Sequence, residues 1–472
     1  MRGILPLGPA PAKRRKRDDG PVTDPGRHVV PLGAATKAWF LISLQTFGGP
    51  AGQIAVMQRE LVDERRWIGE RRFLHALSYC MLLPGPEAQQ LAVYTGWLLN
   101  GWAGGVIAGA LFVLPGFVAL LALSAVYVTQ GDTALVTGLF LGLAPAVVAI
   151  VVQAVVRIGG RALTHPALVG LAVAAFVALA VLGLPFPVVV LGAGLVGWLV
   201  GRRRPAVMAA RARPEDAAAD TPLVPDEALH HARPSARRNL TILTVGLVLW
   251  VAPVAVAWVV ADGGPSVFVD QGLFFGGMAL VTFGGAYAVL AYVAQAAVGT
   301  YGWVTASEMT KGLALAESTP GPLIMVVQFV AFLGAYRAPG DLDPWLAAVL
   351  ASLVVVWVTF VPSFLFIFLG APYVERLRGN TSLSSALTGV TAAVVGVIAN
   401  LALYFAVHTL FSETDRWGRD HLGLLVPVWD SYVWESFVVL ALALVLVLRL
   451  RWSVLRTLAV CALAGLGLSL LT

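Results

Sequence analysis

Thr46-Phe47-Gly48-Gly49 and, farther along, Pro84-Gly85-Pro86 each occur a second time in this chain, as Thr282-Phe283-Gly284-Gly285 and Pro320-Gly321-Pro322. Both pairs are separated by the same offset of 236 residues. Chance would not give two matches one spacing, so the chain contains a duplicated unit. Each motif places Gly-Gly or Pro-Gly-Pro, which break helices, in an otherwise apolar stretch.

The duplication extends beyond these motifs. Trp67 and Trp303 keep the offset of 236, and farther on Pro115 and Pro362 are separated by 247 residues. A single insertion of eleven residues, around 334–346, explains the change of offset.

The composition places the chain in a lipid bilayer. Of its 472 residues, 58% are hydrophobic and 12% are charged, whereas soluble domains are about a quarter charged. Uncharged stretches at 102–130, 133–156, 240–261 and 345–372 reach the roughly twenty residues that span a hydrocarbon core. We therefore expect an all-α polytopic membrane protein.

Positive charge is reversed between equivalent loops of the two halves. Five arginines surround Trp67, whereas the equivalent stretch 294–308 has no Lys or Arg. The next loop, 126–135, has none, but its counterpart carries Arg376 and Arg378. Because cytoplasmic loops collect Lys and Arg, the two halves are predicted to lie in opposite orientations. This is the inverted-repeat plan of secondary transporters.

The sides of these loops predict a topology. With the Trp67 loop inside and 128–133 outside, segments 39–59 and 73–100 must each enter and leave on the same side. Both are broken at Gly and Pro, so we favour two re-entrant helical hairpins per half and about nine full crossings in all. If the segments cross as broken spans instead, the count rises and the inversion argument survives.

The predicted organisation is a basic cytoplasmic tail at 1–33, a first transporter repeat at 34–201, a cytoplasmic linker at 202–238, a connecting transmembrane helix at 239–262 and a second, inverted repeat at 263–472. The tail has a run of Lys and Arg with no apolar core behind it, so we expect no signal peptide. We interpret this run as topology and membrane-surface charge, and expect no nucleic-acid partner. The connecting helix inverts the second half, which places the Trp303 loop in the periplasm.

The helix breaks have a chemical consequence. A break inside an apolar helix leaves backbone N–H groups without partners, and each costs several kcal/mol in lipid unless something satisfies it. Helices that begin at Pro50 and Pro86 would point free N–H groups and a partial positive charge at the break. Four such helix ends near the midplane form a site for a tetrahedral oxyanion. The alternative is that Gly and Pro only permit kinks and close packing.

The candidate substrate-binding residues lie at or beside the breaks. They are Phe47, Gly48, Gly49, Pro50, Pro84, Gly85, Pro86, Phe283, Gly284, Gly285, Pro320, Gly321 and Pro322, with Gln53, Gln89 and Gln90 as neutral donors.

Four ionisable residues near the breaks are further candidates. His75 and Lys311 occupy equivalent positions, and a cation at one position in both halves suggests attraction of an anionic substrate. The alternative is a snorkelling lysine and a hydrogen-bonded histidine. Glu87 and Glu317 are candidates for proton coupling, since intramembrane acids commonly carry protons. A carboxylate at a helix N-terminus can also be only a cap.

The motifs of common enzymes are missing from the sequence. It has no nucleotide-binding glycine loop with a following Lys-Ser/Thr, no His-Glu-X-X-His and no clustered Cys/His spacing. We therefore expect no enzyme, no metal site and no cofactor. A membrane-embedded enzyme or a lipid-handling protein is the least favoured alternative.

The paired motifs resemble the chromate ion transporter family. The resemblance rests on Thr46-Phe47-Gly48-Gly49-Pro50, Trp67-Ile68-Gly69-Glu70, Leu83-Pro84-Gly85-Pro86-Glu87 and Glu317-Ser318-Thr319-Pro320-Gly321-Pro322, and it covers about 35–410. The sequence departs from the family at Ala286, which stands in place of a proline, so the start of that helix is in doubt.

The resemblance implies the long, two-domain form of these bacterial inner-membrane proteins, with chromate exported from the cytoplasm and resistance as the result. It also implies that sulfate, an isosteric dianion, competes. Residue spacing does not select chromium, so a sulfate-type anion transporter and an oxyanion channel stay open as alternatives. A homodimer is a further open alternative for the oligomeric state.

Overall fold

The computed structural model describes residues 29–208, 235–264, 266–283, 285–370, 381–417 and 424–471 of the chain. Several predicted features lie outside these residues. They are most of the basic tail, most of the linker, Gly284 and the Arg376–Arg378 loop.

Helices make up nearly all of the described chain. The first half contains α1 (Leu32–Ser43), α2 (Gly49–Gln58), α3 (Glu70–Cys80), α4 (Glu87–Gln130), α5 (Ala134–Ala162), α6 (Pro166–Ala180), α7 (Phe186–Arg203) and α8 (Pro205–Met208). The rest contains α9 (Ala236–Val260), α10 (Val267–Val281), α11 (Ala286–Ala294), α12 (Ala306–Ser318), α13 (Val326–Arg337), α14 (Pro344–Gly370), α15 (Thr381–Leu410), α16 (Trp434–Leu444) and α17 (Val454–Ser469).

Among the described residues, six helices are long and apolar enough to cross a membrane, namely α4, α5, α7, α9, α14 and α15. The largest stretches of exposed apolar side chains lie on such helices; α9, for example, buries none of its residues. Exposed apolar helix surface on this scale suits lipid and not water. The prediction of an all-α polytopic membrane protein is therefore confirmed.

The duplication is visible in the order of the elements. A π-helical turn follows α2 at Arg59–Glu64, and another follows α11 at Gln295–Thr300, at the same offset of 236. The repeat also continues past the last matching motif. Two helices, α6 and α7, follow α5 in the first half, and two helices, α16 and α17, follow its equivalent α15 in the second half. There the small antiparallel sheet of β1 (Thr414–Trp417) and β2 (Leu424–Pro427) separates α15 from α16.

The long helix α4 folds back on itself. Asn100 and Gly101 have non-helical backbone angles, and a Cβ on Gly96 would meet the carbonyl oxygen of Gly104. The arms on either side of this turn are therefore antiparallel, which fits a re-entrant segment and a broken span at 73–100 alike. In the second half the same turn is the loop between α13 and α14, where the sequence insertion lies.

Glycines bring the long helices of the core into backbone contact. Gly142 of α5 lies against Gly465 of α17, and Gly197 of α7 lies against Gly389 of α15. Small residues allow such close approach, which drives helix association in lipid. α15 packs on α6 and α7 in this way and also contacts α5, and this group supports the broken helices around the site.

Candidate functional site

The four helix breaks are joined in two pairs, each across the two halves, by reciprocal backbone hydrogen bonds. The N–H of Gly85 donates to the carbonyl oxygen of Thr282 at 2.8 Å, and the N–H of Gly321 donates to that of Thr46 at 2.9 Å. Gly85 is equivalent to Gly321, and Thr46 to Thr282, so exchanging the two halves turns one bond into the other. The breaks are thus related by an approximate two-fold axis.

Gly85 and Gly321 owe their place to backbone conformation. Their φ angles are +121° and +107°, a region that side chains with a Cβ rarely adopt. Gly321 also lies against Gly116 of α4, where a Cβ would meet the carbonyl oxygen of Pro320. Another residue at Gly85 or Gly321 would disturb both the turn and the contact between halves.

Unengaged N–H donors remain at the first break. Gly48 and Gly49 have φ angles of +78° and +72°, and α2 begins at Gly49 with Pro50 in its first turn, as predicted. The N–H groups of Gly48, Gly49 and Ala51 find no acceptor in the part of the chain that the structure describes. A helix start of this kind suits an anion.

At the other breaks the structure refines the expected donors. Pro86 and Pro322 stand just before α4 and the 3₁₀ turn Leu323–Met325, as caps and not as first helical residues. α11 begins at Ala286 although it lacks the proline, with Gly285 as its cap. Because the N–H groups of Gly85 and Gly321 are taken by carbonyls, the free donors are the first N–H groups of the helices.

Two of the predicted glutamines donate to carbonyl oxygens of the breaks. Gln53 is buried and donates its amide to the carbonyl oxygen of Gly321 at 2.5 Å. Gln90 donates to the carbonyl oxygen of Pro84 at 2.6 Å. The two aromatic candidates, Phe47 and Phe283, are partly exposed within their breaks.

Glu317 is the buried acid of the site. It is 1% exposed, and its Oε1 accepts a hydrogen bond of 2.5 Å from the hydroxyl of Tyr287. That hydroxyl lies beside Gly49 at the start of α2, and Arg157 of α5 is close enough to interact electrostatically with both residues. Sequence reasoning did not single out Tyr287, because its equivalent in the first half is Ala51 and no motif marks it.

The remaining charged candidates lie in different places. Glu87 opens α4 at the second break and is partly buried. His75 lies on α3 and is partly exposed. Lys311 is nine residues before Pro320 on a helical path, about 13 Å at 1.5 Å per residue, so it does not lie with the breaks.

Lys311 belongs to a cluster at the far end of α12. Its ammonium lies 5.6 Å from the ring centroid of Tyr127 and 5.5 Å from that of Phe140. One turn earlier, Glu308 forms a two-pronged ion pair with Arg337. The cluster joins the ends of α4, α5, α12 and α13, at the level of the loop between α4 and α5.

Comparison with known proteins identifies the family. The model of the family described as "Chromate transporter" matches residues 34–198 and 269–466. The chain belongs to the chromate transporter family. No solved structure matches it.

Curated relatives in this family align over most of the chain. A "Chromate transport protein" of Pseudomonas aeruginosa is 36% identical over 75% of this chain and 76% of its own length. A protein of the same description from Cupriavidus metallidurans is 27% identical over 77% of the chain and 80% of its own length. A "Probable chromate transport protein" of Synechococcus elongatus is 26% identical over 81% and 87%.

Proposed function

We propose that this chain carries chromate out of the cytoplasm across the bacterial inner membrane as a secondary transporter, and thereby gives resistance to chromate. The observation that supports this most is the reciprocal contact of the four breaks, Gly85 with Thr282 and Gly321 with Thr46. It gathers helix starts from both halves at one site, and the curated relatives are described as chromate transport proteins.

The chemistry of the breaks suits a dianion. Backbone N–H groups at a helix start attract negative charge without placing a full positive charge in the bilayer. A transporter must also release its substrate on the other side of the membrane, and reversible binding by these groups allows that release. Chromate and sulfate are both tetrahedral dianions, so we expect sulfate to compete.

Glu317 and Glu87 are proposed to couple transport to protons. A carboxylate beside a bound dianion repels it unless the carboxylate is protonated, which links proton binding to substrate binding. Glu317 is the stronger candidate, since it is buried and its hydrogen-bond partner Tyr287 adjoins the first break.

The proposed orientation places the N-terminus in the cytoplasm and the two halves upside down relative to each other. The approximate two-fold relation of the breaks supports two equivalent halves around one site. Alternating access then amounts to movement of one half against the other.

Uptake of labelled chromate into inverted membrane vesicles tests the proposal. The membrane potential is clamped at zero with potassium and valinomycin, and a pH gradient of either sign is imposed. We expect chromate to accumulate above its outside concentration under one sign of the gradient, and unlabelled sulfate to reduce this uptake. Equilibration without accumulation would favour the channel, and preference for sulfate over chromate would favour a sulfate-type transporter.

A further inference from the structure

Buried polar side chains without partners lie on α4 and α14, two helices that pack together at the second break. Within the described chain, neither the hydroxyl of Ser363 nor that of Thr359 has a hydrogen-bond partner, and both amide atoms of Gln89 lack one. Ser363 is 1% exposed, and Thr359 and Gln89 are fully buried. Such groups are costly to leave unsatisfied, so each requires a reason.

The position of Ser363 ties this set to the break. A methyl group placed on Gly85 would lie 2.9 Å from the Ser363 hydroxyl and 2.8 Å from the amide nitrogen of Gln90. Thr359 is one turn earlier on the same helix, α14, and Gln89 lies in the first turn of α4. The hydroxyl of Ser363 therefore faces the glycine whose N–H joins the two halves.

The hydroxyls of Ser363 and Thr359 also depart from the pattern of this chain. A serine or threonine buried in a helix commonly donates to the carbonyl four residues earlier. Ser352 of the same α14 donates to Ala348 at 2.8 Å, and Ser124 of α4 donates to Leu120 at 2.7 Å. Among the described residues the hydroxyls of Ser363 and Thr359 make no such bond, so they are free for another acceptor.

Comparison of the two repeats shows that this polarity is not a packing requirement. Ser363 and Thr359 are equivalent to Gly116 and Phe112, and Gln89 is equivalent to Met325. At the fourth break, Gly116 lies directly against the backbone of Pro320 and Gly321. The same place in the fold is thus filled by apolar groups in one half and by hydrogen-bond donors in the other.

We infer that Ser363, Thr359 and Gln89 bind the tetrahedral oxyanion at the second break, as neutral donors that complete a one-sided site with the first N–H groups of α4. The inference rests on the proposed transport of an oxyanion. It places the oxyanion at the second break and not at the equivalent fourth break. Hydroxyl and amide donors suit an anion that must be released, because hydrogen bonds from them are weaker than an ion pair.

The test uses purified full-length protein in liposomes, with chromate as the probe. Ser363→Ala and Thr359→Val each remove one hydroxyl, and Ser352→Ala removes a hydroxyl that already has a partner on the same helix. We expect the KM for chromate to rise about tenfold in each of the first two variants, the loss of one hydrogen bond to a charged group. The KM of Ser352→Ala should stay within about twofold of the wild-type value. Thr359→Ser keeps the hydroxyl and should have the wild-type KM.

Thermal unfolding separates ligand binding from a structural role. In Ser363→Ala the melting temperature without ligand should not fall, because an unpartnered hydroxyl is removed, while the increase caused by chromate should shrink. A wild-type KM and a wild-type increase in both variants would overturn the inference. If Ser363→Ala does not fold, Thr359→Val and Thr359→Ser decide. Wild-type protein that does not transport chromate would instead refute the proposed function.

Discussion

At the level of single residues, Glu317 is the acid whose surroundings best fit a proton carrier. Its buried carboxylate keeps one oxygen without a partner in the described chain, and the other is held by Tyr287. The hydroxyl of Tyr287 in turn adjoins Gly49, whose N–H has no acceptor among the described residues. Protonation or deprotonation of Glu317 would therefore change the electrostatic environment at the start of α2.

We predict that Glu317→Gln flattens the pH dependence of chromate transport and leaves chromate binding intact or improved at high pH, because the amide carries no charge to repel the dianion. Tyr287→Phe, which removes the link to Gly49, should shift the same pH profile. The measurement is initial uptake into proteoliposomes from about pH 5 to 9.

Glu87→Gln and the double variant with Glu317→Gln complete the series, with Asp341→Asn in the exposed loop between α13 and α14 as a control acid. An unchanged pH profile in both single variants and in the double variant would remove the carboxylates from the mechanism. A channel or a uniporter would then be the better description.

Lys311 is predicted to act at the periplasmic end of the pathway and not at the bound substrate. Lys311→Ala should raise the KM severalfold for chromate supplied from the periplasmic side, with little change in kcat, and added salt should reduce the difference, because the effect is long-range attraction. Lys311→Arg should keep most of the function, since Arg retains the charge and the stacking on Tyr127 and Phe140. A large fall in kcat in Lys311→Ala, unaffected by salt, would contradict this.

At the level of elements, the breaks work as joints between helices. Each of the two bonds between them pairs a glycine of positive φ, Gly85 or Gly321, with a carbonyl from the other half, so a small movement of one helix start is transmitted to its partner. The π-helical turns after α2 and α11 stand at equivalent places, and such turns are frequent at functional sites.

Replacement of the joint glycines should abolish transport and leave the protein in the membrane. Gly85→Val and Gly321→Val force a side chain into φ angles of +121° and +107° and disturb the contact between halves. Gly277→Val is the matched control, because Gly277 is exposed on α10 and its added Cβ meets nothing within 4 Å. Expressed Gly85→Val protein that still transports chromate would exclude a role for this joint.

At the level of the whole molecule, the decisive question is the relative orientation of the halves. Glu64 and Thr300 are equivalent, exposed residues that end the two π-helical turns. The native cysteines Cys80 and Cys461 are both buried, so they give little background in labelling.

We predict that an impermeant thiol reagent labels Glu64→Cys only from the cytoplasm and Thr300→Cys only from the periplasm. The physical reason is the excess of arginine around Trp67 and its absence around Trp303. Labelling is measured in intact spheroplasts and in inverted vesicles. Labelling of both variants from the same side would refute the inverted arrangement.

The duplication, the places where helices break and the apolar spans could all be predicted from the amino-acid sequence. α4, α5, α9 and α14 cover nearly all of the four long uncharged stretches, and every break lies at its glycine motif. These features depend on local properties, namely the length of an apolar run and the backbone limits of Gly and Pro, which act whatever the segment packs against. The opposite orientation of the halves also follows from sequence alone, and it stays a prediction.

Only the tertiary structure decided which groups meet at the site. The bond from Gln53 to Gly321 joins residues 268 positions apart, and Tyr287 reaches Glu317 although no motif links them. The sequence placed Lys311 near the substrate because it lies on the segment that leads to Pro320, whereas the helix carries it away to Tyr127. Ser363 drew no attention in the sequence, since a hydroxyl in an apolar helix is ordinary until its unpartnered position opposite Gly85 is known. Contacts of this kind arise from the packing of distant segments, which no local pattern records.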